Sequence, residues 1–493
     1  MADLMKAPES GVTVRMYRQG LGDCFLLAFP GSEGRPFYLL IDCGLLIGSN
    51  VERLRQVAAH IAATTGGRID VLVATHEHWD HLSAFEKARE TFDGIEIGEV
   101  WVAWTEDPED PLANRLRAKR RAVVQALHGA VQHLRADGRA DDADDLDPIL
   151  GFFGELGANG KPSAIERAMD YVVARGQPPR FRTPGEAFAL PGIPGVRVYV
   201  LGPPRDEKLL LRSDPSKRAS EVYEKRLALD EDAAFVAALH GLGANGGTDG
   251  DPEGTELAQL SHPFGKVFRV DPAAAKKDAF FQKHYYGGPS RRPKDVPFEE
   301  ELAWRRIETD WLNGAGSLAL KLDSDTNNTS LALAFELVES GRVLLFPADA
   351  QVGNWLSWHT QSWKDAEGRK VTAEDLLKRT VLYKVGHHAS HNATLREKGL
   401  EMMTSPDLVA LIPVDEAMAR KPKGSSPKGW DMPFPPLLED LEKRTRGRVI
   451  RVDHGLPKRP RKASREEWEE GFQDLCDEQD LYVEITVPAG PAK

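Results

Sequence analysis

Short apolar runs and polar punctuation alternate through the first hundred residues. Val12–Tyr17 alternates at period two, while Cys24–Phe29 and Pro36–Asp42 are nearly continuous apolar runs. Gly20–Asp23 and Gly31–Gly34 separate the three, so the pattern predicts three strands joined by tight turns. The spacing then becomes helical at Val51, Leu54, Val57, Ala58 and Ile61, and Ser49 with Glu52 three positions on reads as a capping box. Gly66-Gly67 closes that helix, and Asp70–Ala74 has the composition of a short buried strand. Leu82–Thr91 is helical in composition, and Ile95–Trp104 reads as another strand.

From Thr105 the pattern changes. Asp110-Pro111 opens a long helix with proline at its first position, and Leu116, Val123, Leu127, Val131 and Leu134 line one face. The acidic run Asp141–Asp147 is expected to be a solvated surface segment, with more helix through Val173. Strand character returns at Val196–Leu201. A second interruption over Arg205–Asn313 is helical at Ser220–Leu242, glycine-rich at Gly241–Gly254, and rich in Pro, Arg and aromatics at His284–Pro297. The glycine-rich part lacks the setting of a nucleotide-binding loop and reads as flexible loop. Order returns at Ser317–Asp323. Leu331–Val338 and Arg342–Phe346 form a hairpin across Gly341, and Thr380–Val385, Leu408–Pro413, Val449–Val452 and Leu481–Val487 complete the strands.

The scheme is an α/β fold with two insertions. Residues 11–104 form its N-terminal part, 105–190 a helical insertion, 191–204 a return strand, 205–313 a second insertion, and 314–490 the C-terminal part. The insertions could cap a site and choose a substrate, or serve as structural decoration or an oligomer contact.

At 493 residues the chain exceeds the size at which a single core keeps growing. Its 28% charged and 41% hydrophobic residues are ordinary for a globular protein. No apolar run reaches the roughly 18 residues of a membrane span, and Met1–Ser10 has no apolar signal segment. Three cysteines, Cys24, Cys43 and Cys476, show no paired spacing, so a reducing cytoplasm is the expected compartment. A net charge of −12 weighs against a general nucleic-acid coat protein, although bound metal or a local basic surface can still attract phosphate. The basic stretch Lys458–Lys462 could touch nucleic acid or be a solvated loop.

The chemistry concentrates after the Asp70–Ala74 strand, in A-T-H-E-H-W-D-H-L-S at Ala74–Ser83. His76 and His78 project the same way from extended chain, and Asp80 with His81 makes a second pair. This spacing suits two neighbouring ions better than one. Imidazole and carboxylate are ligands for zinc, with manganese or iron as alternatives. A merely polar surface loop is the plainer reading, but three of 14 histidines in six positions speak against it. Two further strand ends carry ligand-type residues: Asp349, and His387 with His388 and His391. Trp79 could line the pocket or pack beneath the loop, and Cys43 reads as a small packed residue. No G-x-S-x-G element is present, which argues against a serine hydrolase.

The pattern H-x-H-x-D-H resembles the metallo-β-lactamase superfamily of hydrolases, and in particular the metallohydrolase domain of ComEC-type DNA-uptake proteins and their soluble stand-alone relatives. The supporting motifs, in order, are Gly20–Asp23, Leu40–Gly44, Thr75–His81, Asn327–Leu331, Ala348-Asp349 and Lys384–Ser390. They span about half the chain and leave the insertions outside. The membrane channel of the ComEC proteins is absent.

The resemblance implies an αββα sandwich of two mixed sheets flanked by helices, holding two divalent ions. The implied metal ligands are His76, His78, Asp80, His81, Asp349 as bridge and His387 as the distal histidine. Asp42 and His388 would support them from behind. It further implies hydrolysis by a metal-bound hydroxide, with Asp80 orienting the nucleophile. His388, Ser390 or His391 could assist at the leaving group or the phosphate. The amides of Asn327 and Asn328 could meet phosphate oxygens or simply build a turn.

Three departures stand out. Ala348 and Ala389 replace glycines, and Ala389 would strain its turn if its φ is positive. No histidine stands near Thr326, where the superfamily has its middle ligand. Asp325, Asn327 or water could substitute, leaving the first ion, on His76 and His78, more exchangeable than the second. The expected activity is that of a phosphodiesterase or nuclease acting on a phosphoester, such as nucleic acid or a nucleotide. Hydrolysis of a non-phosphate ester, lactone, thioester or amide on the same ions is the alternative, as is a catalytically weak metal-binding scaffold or sensor.

Overall fold

The structure is a computed structural model. It describes residues 4–136, 140–157, 161–212, 270, 272–275, 277–284, 315–421, 429–461 and 463–490. The chain forms two compact units. One comprises Met1–Arg120, Gly151–Ala228 and Lys321–Lys493, the other Arg121–Leu150 and Leu229–Leu320.

The described strands all belong to the first unit. They are β1 (Gly11–Tyr17), β2 (Phe25–Phe29), β3 (Phe37–Ile41), β4 (Arg68–Ala74), β5 (Glu96–Ala103), β6 (Arg180–Arg182), β7 (Ala187–Leu190), β8 (Ile193–Val200) and β9 (Leu333–Leu337). They continue with β10 (Arg342–Phe346), β11 (Ser362–Lys364), β12 (Lys370–Thr372), β13 (Thr380–Lys384), β14 (Val409–Ile412), β15 (Val449–Arg451), β16 (Cys476–Glu478) and β17 (Tyr482–Pro488). One sheet has the order β16-β17-β1-β2-β3-β4-β5-β6 and the other β15-β14-β13-β10-β9-β8-β7. Each is half antiparallel and half parallel. The parallel neighbours are β3 through β6 in the first sheet, and β10, β13, β14 and β15 in the second.

The two sheets share one apolar interior. Val14, Leu27, Leu39 and Val73 of the first pack with Val198, Phe335, Leu344 and Leu411 of the second. The Phe25 and Phe346 rings cross it edge to face, with centroids 5.6 Å apart. Because neighbouring strand residues point to opposite faces, Leu26, Leu40, Leu72 and Val102 face outward. There they are covered by α1 (Val51–Thr64) and α5 (Ala164–Arg175). This explains why the strands read as continuous apolar runs rather than alternating ones. On the other sheet, Trp355 and Trp358 of α7 (Val352–Trp358) are fully buried, and Trp355 lies edge-on to Tyr383 of β13. The architecture is the expected α/β sandwich of two mixed sheets flanked by helices.

Several local expectations are corrected. Asn50, not Ser49, caps α1, accepting from the backbone N–H of Glu52 and Arg53. Asparagine is as good a cap as serine, so the nearer residue takes the role, while the Ser49 hydroxyl meets Met418. Residues 317–323, expected only to be ordered, are so and lie within a helix, α6 (Ala315–Asn327). The short strands β6 and β7 fall inside the stretch read as helical insertion, and β6 extends the first sheet beside β5. A three-residue strand ending in arginines carries little periodicity to detect.

The long helix α3 (Pro111–Ala136) begins where expected, with the Asp110 carboxylate accepting from Leu112 and Ala113 N–H. In the second unit, the acidic run forms α4 (Ala140–Leu150), with Asp141, Asp142, Asp144 and Asp147 exposed and Ala143, Leu146 and Leu150 buried. The readings for 220–254 and 285–297 lie outside the described residues. No described helix is long and apolar enough to cross a membrane.

Candidate metal centre

Four parallel strands deliver the site. β3 and β4 run into Asp42 and into Thr75-His76, while β10 and β13 run into Asp349 and into His387-His388. Carboxyl ends of parallel strands are where such folds place ligands. His76, His81 and Asp349 present ligand atoms within 4.8 Å of one another, and so do Asp80, Asp349 and His388.

Close backbone approach assembles the His76–His81 loop. Its turn α2 (Trp79–Leu82) lies against Asp23 and Cys43, with Asp23 N–H donating to Asp80 C=O (3.0 Å) and Cys43 N–H to His81 C=O (2.8 Å). A Cβ on Gly44 would lie 2.3 Å from the Asp80 carbonyl, so only glycine fits there. That is the physical content of the L-I-D-C-G motif. Non-glycine residues adopt left-handed backbone at Asp42 (φ 54°), Ala348 (φ 53°), His387 (φ 43°), His388 (φ 51°) and Ala389 (φ 62°). Ala389 thus meets the condition under which its methyl strains the turn. Such conformations cost about 1–3 kcal/mol each and persist only where the surroundings impose them.

His76, His81 and His388 each have one ring nitrogen engaged outward and the other facing the centre. His81 Nδ1 donates to Asp42 Oδ2 (2.8 Å), and the same carboxylate accepts from Thr75 N–H and Oγ1. His388 Nδ1 donates to Pro413 C=O (2.6 Å), leaving Nε2 at Asp80 Oδ2 (2.8 Å). His76 Nδ1 meets Thr75 Oγ1 (3.0 Å), so Nε2 faces His78 Nδ1 at 3.1 Å. Outer-nitrogen partners of this kind fix the tautomer that offers a lone pair to an ion. The other ring nitrogen of His78, Nε2, lies 3.9 Å from Asp323 Oδ1.

Burial and neighbouring histidines hold His76 well below its ordinary pKa, and burial brings His78 down to about 3. Both are therefore neutral, the form that ligates. Burial opposes charge on His81 too, but Asp349, Asp23, Asp80 and Asp42 together push it well up. For Asp349, burial is outweighed by Lys384 and His81, which hold its carboxyl well below the usual range. Asp323 goes the other way, raised well above that range by burial and by Asp80 and Asp349.

Asp349 is locked from one side. Its Oδ1 accepts from Lys384 Nζ (2.9 Å) and His387 N–H (2.8 Å), and Lys384 also reaches Asp23 Oδ2 (2.5 Å) and Ala348 C=O (2.9 Å). Asp349 Oδ2 remains, 3.1 Å from His81 Nε2.

The donor set fits divalent ions. Buried polar atoms are ordinarily hydrogen-bonded, yet His78 Nε2, Asp80 Oδ1, His81 Nε2, Asp323 Oδ1 and Asp349 Oδ2 have no hydrogen-bond partner. Five aspartates are buried here (Asp23, Asp42, Asp80, Asp323 and Asp349) with one lysine, Lys384. Imidazole and carboxylate donors without thiolate suit zinc, manganese or iron.

The remaining expected site residues are arranged as follows. His387 is beside the clusters, its Nδ1 bonded to Ser390 Oγ (2.8 Å) and near Gln351 (3.4 Å), and burial lowers its pKa to about 4. Ser390 thus serves His387 and also donates to Asn392. Asn328 uses its amide on the backbone of Gln351, Asn354 and Arg212, the turn role left open in the sequence. Asn327 donates to Asp323 Oδ2 (3.3 Å) and keeps its own Oδ1 without a partner. His391 packs edge-on to Phe434 and enters neither cluster. Trp79 is buried beneath the loop.

Three residues were given no role by sequence reasoning. Asp23 and Lys384 stood inside quoted motifs, which was a usable signal. Asp323 carried none, because it is one helical turn before the position where a histidine was sought.

Residues 18–158 match the family model of the metallo-beta-lactamase superfamily. Proteins of that superfamily are typically metal-dependent hydrolases. The match takes in β2 to β5 and the whole His76–His81 loop. A search of curated proteins finds no match.

Proposed function

We propose that the protein is a two-metal hydrolase of phosphodiesters. The observation that carries the metal reading is the convergence of inward-facing histidine nitrogens and unpartnered carboxylate oxygens. His76 and His78 would hold the first ion, Asp80, His81 and His388 the second, with Asp349 Oδ2 shared. Zinc or manganese fits these donors. Two such ions supply an activated water and neutralise charge developing on the scissile group.

The chain's own residues have defined tasks. Lys384 and His387 N–H occupy Asp349 Oδ1, so this carboxylate presents a single oxygen. Asp42 keeps the His81 lone pair at Nε2. Asp80 Oδ2 lies 2.8 Å from His388 Nε2, the two atoms that would meet the second ion, while its Oδ1, without a partner, is available to orient water. The phosphoester assignment rests on the motif order from Gly20 to Ser390.

Enclosure bears on substrate size. His76, His78, Asp80, His81, Asp349 and His388 are each at most 1% exposed, and Phe152 and Phe153 pack against the His78 ring at 5.6 and 5.0 Å. A small phosphodiester or nucleotide suits such a site better than a duplex. The aromatic wall also suits the acyl part of a lactone or thioester, the alternative substrate class.

The test is a screen of metal-reconstituted protein on bis-(p-nitrophenyl) phosphate, dinucleotides, single- and double-stranded DNA, RNA, lactones and thioesters, with Asp349→Ala as control. Turnover of phosphodiesters lost in that variant supports the proposal. Turnover confined to lactones or thioesters would replace it.

A further inference from the structure

We propose that Asp323 is the positioning residue of the first ion, holding His78 from behind as Asp42 holds His81. The inference rests on the two-metal reading above and adds to it the residue that compensates for the absent middle histidine.

The geometry is that of a carboxylate behind an imidazole. On α6, Asp323 and Asn327 are one turn apart, and the Asn327 amide donates to Asp323 Oδ2 (3.3 Å). That bond leaves Asp323 Oδ1 facing His78 Nε2 at 3.9 Å, and neither atom has a hydrogen-bond partner. At the opposite edge of the ring, His78 Nδ1 lies 3.1 Å from His76 Nε2. These two inner nitrogens form the donor pair for one ion.

An imidazole offers a lone pair at Nδ1 when its proton is on Nε2. A carboxylate facing Nε2 selects that tautomer and raises the basicity of the inner nitrogen. Asp323 Oδ1 faces the outer nitrogen of His78 rather than the inner pair, which points to orientation rather than ligation. The first ion would then be held by the imidazoles of His76 and His78, with the Asp323 side chain behind the second of them.

The two Asp–His pairs are built differently. Asp42 ends a strand and accepts three hydrogen bonds. Asp323 rides on a helix, steadied by one amide. Loss of Asp323 therefore affects one ion and spares the other.

The experiment is chelator competition on the Mn²⁺- and Zn²⁺-loaded full chain, resolving two affinities, for wild type, Asp323→Leu and Asp323→Asn. ¹⁵N NMR of the histidine rings reads the His78 tautomer in the Zn²⁺ form. Asp323→Leu should weaken one ion by about 10–100-fold, the range for losing such a partner, and leave the other unchanged, which also certifies the fold. Asp323→Asn, whose amide oxygen can face Nε2–H as the carboxylate oxygen does, should retain the tautomer and lose less. Unchanged affinities in both variants would overturn the inference. So would equal losses in both, because a direct ligand would lose its charge and donor strength in either. A wild type that binds no ion would instead remove the two-metal reading itself.

Discussion

Lys384 is the sharpest place to test the electrostatics of the centre. Replacing it by methionine keeps the aliphatic stem and removes one buried cation with three partners: Asp23 Oδ2 at 2.5 Å, Asp349 Oδ1 at 2.9 Å and Ala348 C=O at 2.9 Å. The lysine side chain is 1% exposed and its carboxylate partners are 3% and 0% exposed, so water cannot replace it. Breaking a buried pair from one side typically costs about 3–5 kcal/mol, mostly from the stranded charge. Here two carboxylates are stranded, so the upper part of that range is expected for metal-free protein.

The double variant Lys384→Met/Asp23→Asn removes one stranded charge and should recover a large part of the loss. Two bound divalent ions add positive charge beside Asp349 and should reduce the penalty further. Urea unfolding by tryptophan fluorescence, with amide exchange of β13 as the local readout, measures this with and without chelator. Because the chain has two compact units, a single global free energy is not assumed. A loss under 1 kcal/mol for Lys384→Met in chelator, or no recovery in the double variant, would refute the reasoning.

Three other outcomes follow from the same geometry. Asp42→Ala removes the acceptor of His81 Nδ1 and of Thr75; affinity for the second ion should fall about 10–100-fold, measured by metal analysis after chelator titration. Gly44→Ala places a methyl 2.3 Å from the Asp80 carbonyl, and overpacking of this kind costs about 1–3 kcal/mol. The expected result is a displaced His76–His81 loop, seen as lost metal stoichiometry, and wild-type stoichiometry would count against the packing argument. Ala389→Gly relieves a φ of 62° but adds unfolded-chain freedom, terms of about 1 kcal/mol each. Its denaturation midpoint should stay near wild type, and a loss above 2 kcal/mol would mean the buried methyl matters more than the backbone.

The strands and the first half of the site were legible because both are local in sequence. Apolar runs such as Phe25–Phe29 and Leu331–Val338 mark strands buried on both faces, and His76 to His81 supply their ligand atoms from one loop. What escaped depends on tertiary contact. Asp323 is an ordinary polar residue on a helix until the fold turns it toward His78. Lys384 reads as one residue near the end of an apolar strand, and only its burial between Asp23 and Asp349 gives it a task. Strand β6 is three residues long, too short for any period to register.

The tandem histidines show where sequence reasoning reaches its physical limit. In extended chain, His387 and His388 would point to opposite sides, and the resemblance in the sequence named the first as the distal ligand. The chain instead takes left-handed backbone at 387, 388 and 389 in succession, a turn that no residue type among them requires. The turn spends the His387 N–H on Asp349 Oδ1 and its ring on Ser390, and swings the His388 ring to Asp80. Each histidine therefore acts on a different carboxylate of the centre, one through its backbone and one through its ring. Removing the His387 ring leaves its N–H to Asp349 in place, whereas removing the His388 ring takes away the partner of Asp80. On this geometry His388→Ala should release the second ion and His387→Ala should retain it. The reverse result would show that ion binding reorders the turn.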